Sequence, residues 1–265
     1  MKRYFAISAI VSLIFLGLGI KAAYLEESWK EVKGDHFIVY YAAQNAFAQE
    51  VLRKAEQYYE QISGDLGYQR YSNFWQWENR VKIYIYKTQE DFLKGTGRKE
   101  WSHGYANYTD KEIRSYEWKE GFLESLLPHE ITHLIFRDYV GFSGEVPIWL
   151  DEGVAQWEEP EKRKIVRSVM KYYIKDGRWY SITDLTSTDI RNVDLTQAVE
   201  LFYVQAASIV DFLVSQFGAE VFIFFCRQLR DGKSMNETLR FAYPTEMRNV
   251  KEMEEKWKKY ILAAP

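Results

Sequence analysis

One cysteine, five prolines and four histidines are all that 265 residues contain of these types. The lone thiol, Cys226, excludes an intramolecular disulfide and any zinc cluster built on cysteines. It sits in the apolar run Val221-Phe222-Ile223-Phe224-Phe225-Cys226, the setting of a buried, inert thiol rather than of a nucleophile. With few prolines, no repeat and no low-complexity tract, the composition is that of a globular chain long enough to bury a substantial core. Charge of one sign is also lacking. A net −3 from 35 basic and 38 acidic residues, interspersed along the chain, argues against nucleic acid as a partner. What the chain has in quantity is aromatic residues, 17% of the total, and these read first as a thick core.

The start is basic and then apolar. Met1-Lys2-Arg3 precedes an uncharged stretch from Tyr4 to Ile20, closed by Lys21-Ala22-Ala23. This predicts an export segment over residues 1–23, either a cleaved signal peptide or a retained N-terminal membrane anchor. Both stay open, because the run is near the lower limit of roughly 17–25 residues for a membrane span. In both cases the body of the protein is expected outside the cytoplasm, periplasmic or secreted. Residues 24–34 read as a polar connector. Beyond it, alternation predicts a strand at 36–41 and, most clearly, one at 81–86; a strand pair is expected at 104–108 and 113–118. Helical spacing runs from Asn45 to Ile62 with Ser63-Gly64 as its stop, and Thr88 caps a short helix over 89–94. The loop 69–79 carries Phe74, Trp75 and Trp77, expected to cap the core. From Glu120 onward the pattern is helical, over 120–139, 147–157, 161–175, 196–216, 219–231, 234–242 and 246–262.

The first of these helices holds His129-Glu130-Ile131-Thr132-His133. Histidines four positions apart share one helix face. Neutral imidazole is a good zinc ligand, and the glutamate between the two is placed to act on a water. Pro128 cannot donate a backbone hydrogen bond, so the helix either begins there or is kinked there. Catalytic zinc takes three protein ligands and keeps one position for water, so a third ligand must come from another element. Glu152 is the candidate, after a loop with Gly141 and Gly144 that is long enough to fold back. Gly153 beside it would let the two helices approach closely. His36 and His103 read as strand residues, and Asp151 as directed to solvent or a cap rather than to metal.

The wider string makes a resemblance specific. His129-Glu130-x-x-His133, eighteen residues, then Glu152 within Trp149-Leu150-x-Glu152-Gly153-x-Ala155, resembles the gluzincin arrangement of the peptidase MA-like superfamily. The spacing is similar to that of aminopeptidase-N-like enzymes, and Thr132 before the second histidine is similar to thermolysin-like members. Downstream, Phe202 to Leu213 and Phe217 to Phe222 are similar to the family's tyrosine-bearing helix pair. By that match Tyr203 is the residue whose hydroxyl stabilises the oxyanion. Upstream, Trp101 to Ile113 resembles the edge strand along which such enzymes lay extended substrate. The aminopeptidase-N-like string Gly-x-Met-Glu-Asn, which grips a free amino end, is absent from the sequence, and this leaves endo- and exopeptidase action open.

The resemblance implies an α+β fold, with a small mixed-sheet lobe packed on a mainly helical one and zincin-like active-site helices between them. The expected layout is a connector at 24–34 and one metallohydrolase domain at 35–265. That domain divides into an α/β lobe (35–118), active-site helices (119–160) and a helical lobe (161–265). It further implies one Zn²⁺ held by His129, His133 and Glu152, Glu130 as general base and Tyr203 as oxyanion donor. The expected activity is hydrolysis of peptide bonds in a peptide or protein substrate. The alternatives are a zinc hydrolase of a non-peptide amide, and a non-catalytic binding or scaffold protein that keeps the site.

Overall fold

A computed structural model of the chain describes residues 29–42, 44–68, 75–100, 102–118, 121–142, 146–190 and 196–263. The expected export segment, Phe74, Trp101 and Gly144 lie outside the described residues. The described residues separate into two compact units, those within 29–61 and 75–134, and those within 62–68 and 135–263. The first is built on a five-stranded mixed sheet and the second is helical, which makes the chain α+β.

In the first unit, β2 (Phe37–Tyr41), β3 (Val81–Tyr86) and β5 (Glu112–Tyr116) run parallel. Antiparallel β1 (Lys30–Lys33) flanks β2 and antiparallel β4 (Gly104–Asn107) flanks β5. The strand order is β1-β2-β3-β5-β4. Val39, Ile83 and Ile113 are in register across the three parallel strands and fully buried. β1 lies in the stretch that reads as a connector. Its sequence Lys-Glu-Val-Lys has no apolar alternation, so its pairing comes from the open edge of β2 rather than from its own pattern. α1 (Asn45–Asp65) passes through Ser63-Gly64 instead of stopping there. Ile62 and Leu66 are both fully buried, so the apolar stripe continues one turn further, and Gly67 at φ +71° leads the chain out. α2 (Gln89–Thr96) is capped as expected, Asp91 N donating to Thr88 Oγ1 at 3.1 Å. Of the aromatic loop residues, Trp75 is buried edge-on against Phe37, while Trp77 is exposed.

The second unit comprises α4 (Ile148–Glu158), α5 (Pro160–Lys175), α6 (Ile182–Ser187), α7 (Thr196–Phe217), α8 (Ala219–Arg230), α9 (Met235–Ala242) and α10 (Val250–Ala263). Among the described residues α7 alone is long and apolar enough to cross a membrane. Its apolar positions are nonetheless the unit's core: Phe202, Ala206, Ile209, Val210 and Leu213 are almost wholly buried. One buried carboxylate ties several of these helices together. Asp211 accepts from Trp157 Nε1 (3.1 Å), Arg167 Nε (2.5 Å) and Tyr260 OH (2.9 Å), joining α4, α5 and α10 to α7. α10 starts at Val250 rather than 246, because the Asn249 side chain caps it by accepting from Glu252 N at 3.0 Å. Cys226 is a buried free thiol, and burial pushes its pKa well above the ordinary value.

Candidate metal centre

The helix with the paired histidines begins one residue before Pro128, so the proline stands in its first turn. α3 (Leu127–Val140) follows directly on a π-helical turn over Phe122–Leu126. Leu126 N donates to Gly121 O at 2.9 Å and Leu127 N to Phe122 O, each five residues back. The wider turn makes room for the proline ring, whose missing N–H and bulk would otherwise clash with a tighter one. Glu124, on the outer side of the turn, accepts from Lys54 Nζ (2.6 Å) and Tyr58 OH (3.0 Å). The Lys54 hydrogen bond, reinforced by Tyr58, holds its carboxyl below the usual range.

His129, Glu130, Thr132 and His133 are all fully buried on α3. Thr132 Oγ1 donates to Pro128 O at 2.6 Å, so its hydroxyl satisfies the helix backbone. The two imidazole rings are nearly perpendicular, with Nε2 atoms 3.2 Å apart. Tyr108, just past the end of β4, sets its ring edge-on to His133 at a centroid distance of 6.3 Å. β4 ends the strand order, as the resemblance implies for this segment. His103 and His36 take structural partners: His103 Nδ1 bonds Tyr116 OH and His36 Nδ1 bonds Glu56 Oε2, each at 2.7 Å.

α4 is buried from Trp149 to Glu158. Glu152 is 4% exposed. Asp151, expected toward solvent or a cap rather than metal, is buried and ion-paired with Arg137 (Nη2–Oδ2 2.8 Å), because a helix submerged on all sides offers it no solvent, and it is not part of the metal cluster. Gly153 also has a partner other than the expected one. A Cβ there would lie 2.9 Å from the backbone C and O of Ala206, so the glycine admits α7. One turn before Ala206 on α7 is Tyr203, 6% exposed. Burial, and then the negative charges of Glu152 and Glu159, push its phenol well above the ordinary pKa. Tyr203 therefore stays protonated at neutral pH and can donate.

One ligand atom from each of His129, His133 and Glu152 lies within 4.8 Å of the others. Tetrahedral zinc with Zn–N of about 2.0–2.1 Å needs its nitrogens about 3.3–3.4 Å apart. The 3.2 Å separation of the two Nε2 atoms matches that edge. Two nitrogens and one carboxylate oxygen are also a donor set suited to catalytic zinc, leaving a fourth position for water. Residues 73–263 match the family model described as Peptidase MA superfamily. The chain belongs to that superfamily. No curated protein matches it. In a peptidase MA chain the buried His129–His133–Glu152 cluster fits a zinc peptidase of gluzincin type, and the family implies peptide substrates. One residue beside the cluster escaped sequence reasoning, Tyr108. It lies past the end of a short strand, where no pattern marks it.

Proposed function

We propose that the protein is a zinc-dependent metallopeptidase that hydrolyses peptide bonds outside the cytoplasm. The observation that carries this reading is the convergence of two imidazole Nε2 atoms and the Glu152 carboxylate, all buried, in a peptidase MA chain. His129, His133 and Glu152 would hold Zn²⁺. When bound, the ion supplies Lewis acidity, acidifying a water and polarising a carbonyl. Glu130, between the two histidines on α3, takes the proton of the attacking water and returns it to the leaving nitrogen as the C–N bond breaks. The products are a carboxylate and an amine, and the proton balance closes within the site. Tyr203 donates its hydroxyl hydrogen bond to the carbonyl oxygen as that oxygen gains charge, and its raised pKa supports a role as donor. Export rests on the basic start and the apolar stretch from Tyr4 to Ile20.

The test is Glu130→Gln in the full-length chain. Peptide hydrolysis, read on a proteome-derived peptide library, is expected to fall by about 10²–10⁴, while zinc stays near one per chain by metal analysis. Hydrolysis at the wild-type rate, or a folded wild-type protein that takes up no zinc, overturns the reading.

A further inference from the structure

Two elements supply the metal cluster, His129 and His133 from α3 and Glu152 from α4. Backbone hydrogen bonds fix the spacing within a helix, so the separation of the two histidines follows from α3 alone. Where Glu152 stands relative to them depends on what joins α4 to α3. One polar contact does so next to the cluster. Arg137 on α3 donates through Nη2 and Nε to Oδ2 of Asp151 on α4, at 2.8 and 3.3 Å. The two side chains are 11% and 1% exposed, so the ion pair is almost dry.

Its place on the two helices indicates what it does. Arg137 is four residues past His133, one turn on and about 40° around the same face of α3. Asp151 is the residue before Glu152. The pair therefore stands one turn from a ligand on one helix and one residue from a ligand on the other. Stability does not account for it. Taking two charges out of water offsets much of their attraction, and apolar residues of similar volume often serve as well or better. What a hydrogen-bonded ion pair has and an apolar contact lacks is direction. Two donors converging on one charged oxygen hold one geometry, whereas apolar groups can slide over one another. Other arginines hold α3 without this connection. Arg227 and Arg230 on α8 donate to Tyr139 O (3.2 Å) and Val140 O (2.6 Å), carbonyls that the helix end leaves open.

We propose that Arg137 and Asp151 are positioning residues of the metal centre: their ion pair sets α4 against α3 and so holds the Glu152 carboxylate beside the two imidazoles. This rests on the assignment of His129, His133 and Glu152 as zinc ligands in the metallopeptidase reading above. The pair also engages the Asp151 carboxylate, which would otherwise be a rival ligand next to Glu152.

The experiment measures zinc affinity, by competition with a chromophoric chelator, and the Tm of the metal-free protein, on full-length variants. Arg137→Met/Asp151→Val replaces the pair by apolar side chains of similar summed volume. Its zinc Kd should rise by about 10–100-fold, with a metal-free Tm equal to or above that of the wild type. Cobalt bound in place of zinc should lose the strong visible absorption of a tetrahedral site. Arg137→Lys alone falls short of Asp151 and should weaken zinc by about tenfold. Arg137→Lys/Asp151→Glu shortens one arm and lengthens the other, and should return Kd to within about threefold of the wild type. Arg230→Met is the structural control: it removes a bond at the helix end, so Tm falls while the zinc Kd stays. The proposal fails if the apolar pair binds zinc as tightly as the wild type, or if its metal-free Tm falls along with zinc affinity. It also fails if Arg230→Met weakens zinc equally, or if Arg137→Lys/Asp151→Glu restores nothing. Should the apolar pair not fold, the two lysine variants decide the matter between them. Failure of the metallopeptidase reading looks different. A wild-type chain that takes up no zinc overturns both, and one that binds zinc through this pair yet cleaves no peptide overturns that reading alone.

Discussion

Tyr203 brings two separate facts together at one atom. Its ring is buried in the core of α7 and its hydroxyl lies in the field of Glu152 and Glu159, both of which hold the proton on. A phenol in that state is a donor and not a base. Tyr203→Phe removes the donor and leaves the ring packing in place. Its expected effect is a fall in kcat of about 10²–10³ with KM little changed, since the bond forms as charge develops on the carbonyl oxygen. Steady-state kinetics with a fluorogenic peptide, alongside unchanged zinc content, checks this; a KM effect with intact kcat would assign Tyr203 to ground-state binding. At this scale the sequence was informative where spacing carries chemistry. His129, His133 and Glu152 stand in a pattern with a geometric meaning, and the structure brings their ligand atoms together. The burial of Asp151 against Arg137 was illegible, because whether a carboxylate meets solvent depends on what packs around its helix and not on its neighbours in the chain.

Among the elements, α4 and α7 make the closest joint in the second unit, and Gly153 sets it. The two atoms nearest a Cβ at this position are both backbone, at 2.9 Å. Neither can swing aside as a side chain can, so Gly153→Ala must separate the helices. The expected cost is about 1–3 kcal/mol, seen as a lower Tm in calorimetry. A drop in kcat/KM should accompany it, because Glu152 and Tyr203 flank the joint on its two helices. An alanine variant as stable and as active as wild type would mean that the helices do not pack as described. The sequence indicated a close approach at Gly153 but named the wrong helix, since contact between distant segments is not written in local spacing. The same limit explains the other misses. β1 carries no alternation and is ordered by pairing alone, and six-residue α6 is too short for periodicity to register, though Ser181 caps it on Asp184 N at 3.0 Å. Val81–Tyr86, with its strict alternation and buried inner face, was legible to the residue.

Over the whole molecule, the abundance of tyrosine becomes a property of stability. The chain has 20, and several are held neutral by burial. Burial pushes Tyr84 up to about 12, helped by the Glu112 charge, and it pushes Tyr260 to about 12, beside Asp211. Tyr58 and Tyr173 are raised further by burial together with hydrogen bonds to Glu124 and Glu200. Tyr203 and Tyr243 are raised well above the ordinary value, again chiefly by burial. An unfolded chain ionises these groups near pH 10, whereas the folded chain does not, so above pH 10 the unfolded state binds fewer protons and stability falls as pH rises. Below pH 10 both states hold the protons and the contribution is constant. The urea midpoint of the full chain should therefore stay level from about pH 8 to 9.5 and fall steeply toward pH 11. Tyrosinate absorbance should rise in two stages, the second coinciding with unfolding. Tyr203→Phe should flatten the alkaline fall, because it removes one of the strongly raised groups while the others remain. A single tyrosinate stage completed in the folded protein would show that these rings are open to solvent and would remove the alkaline contribution to stability.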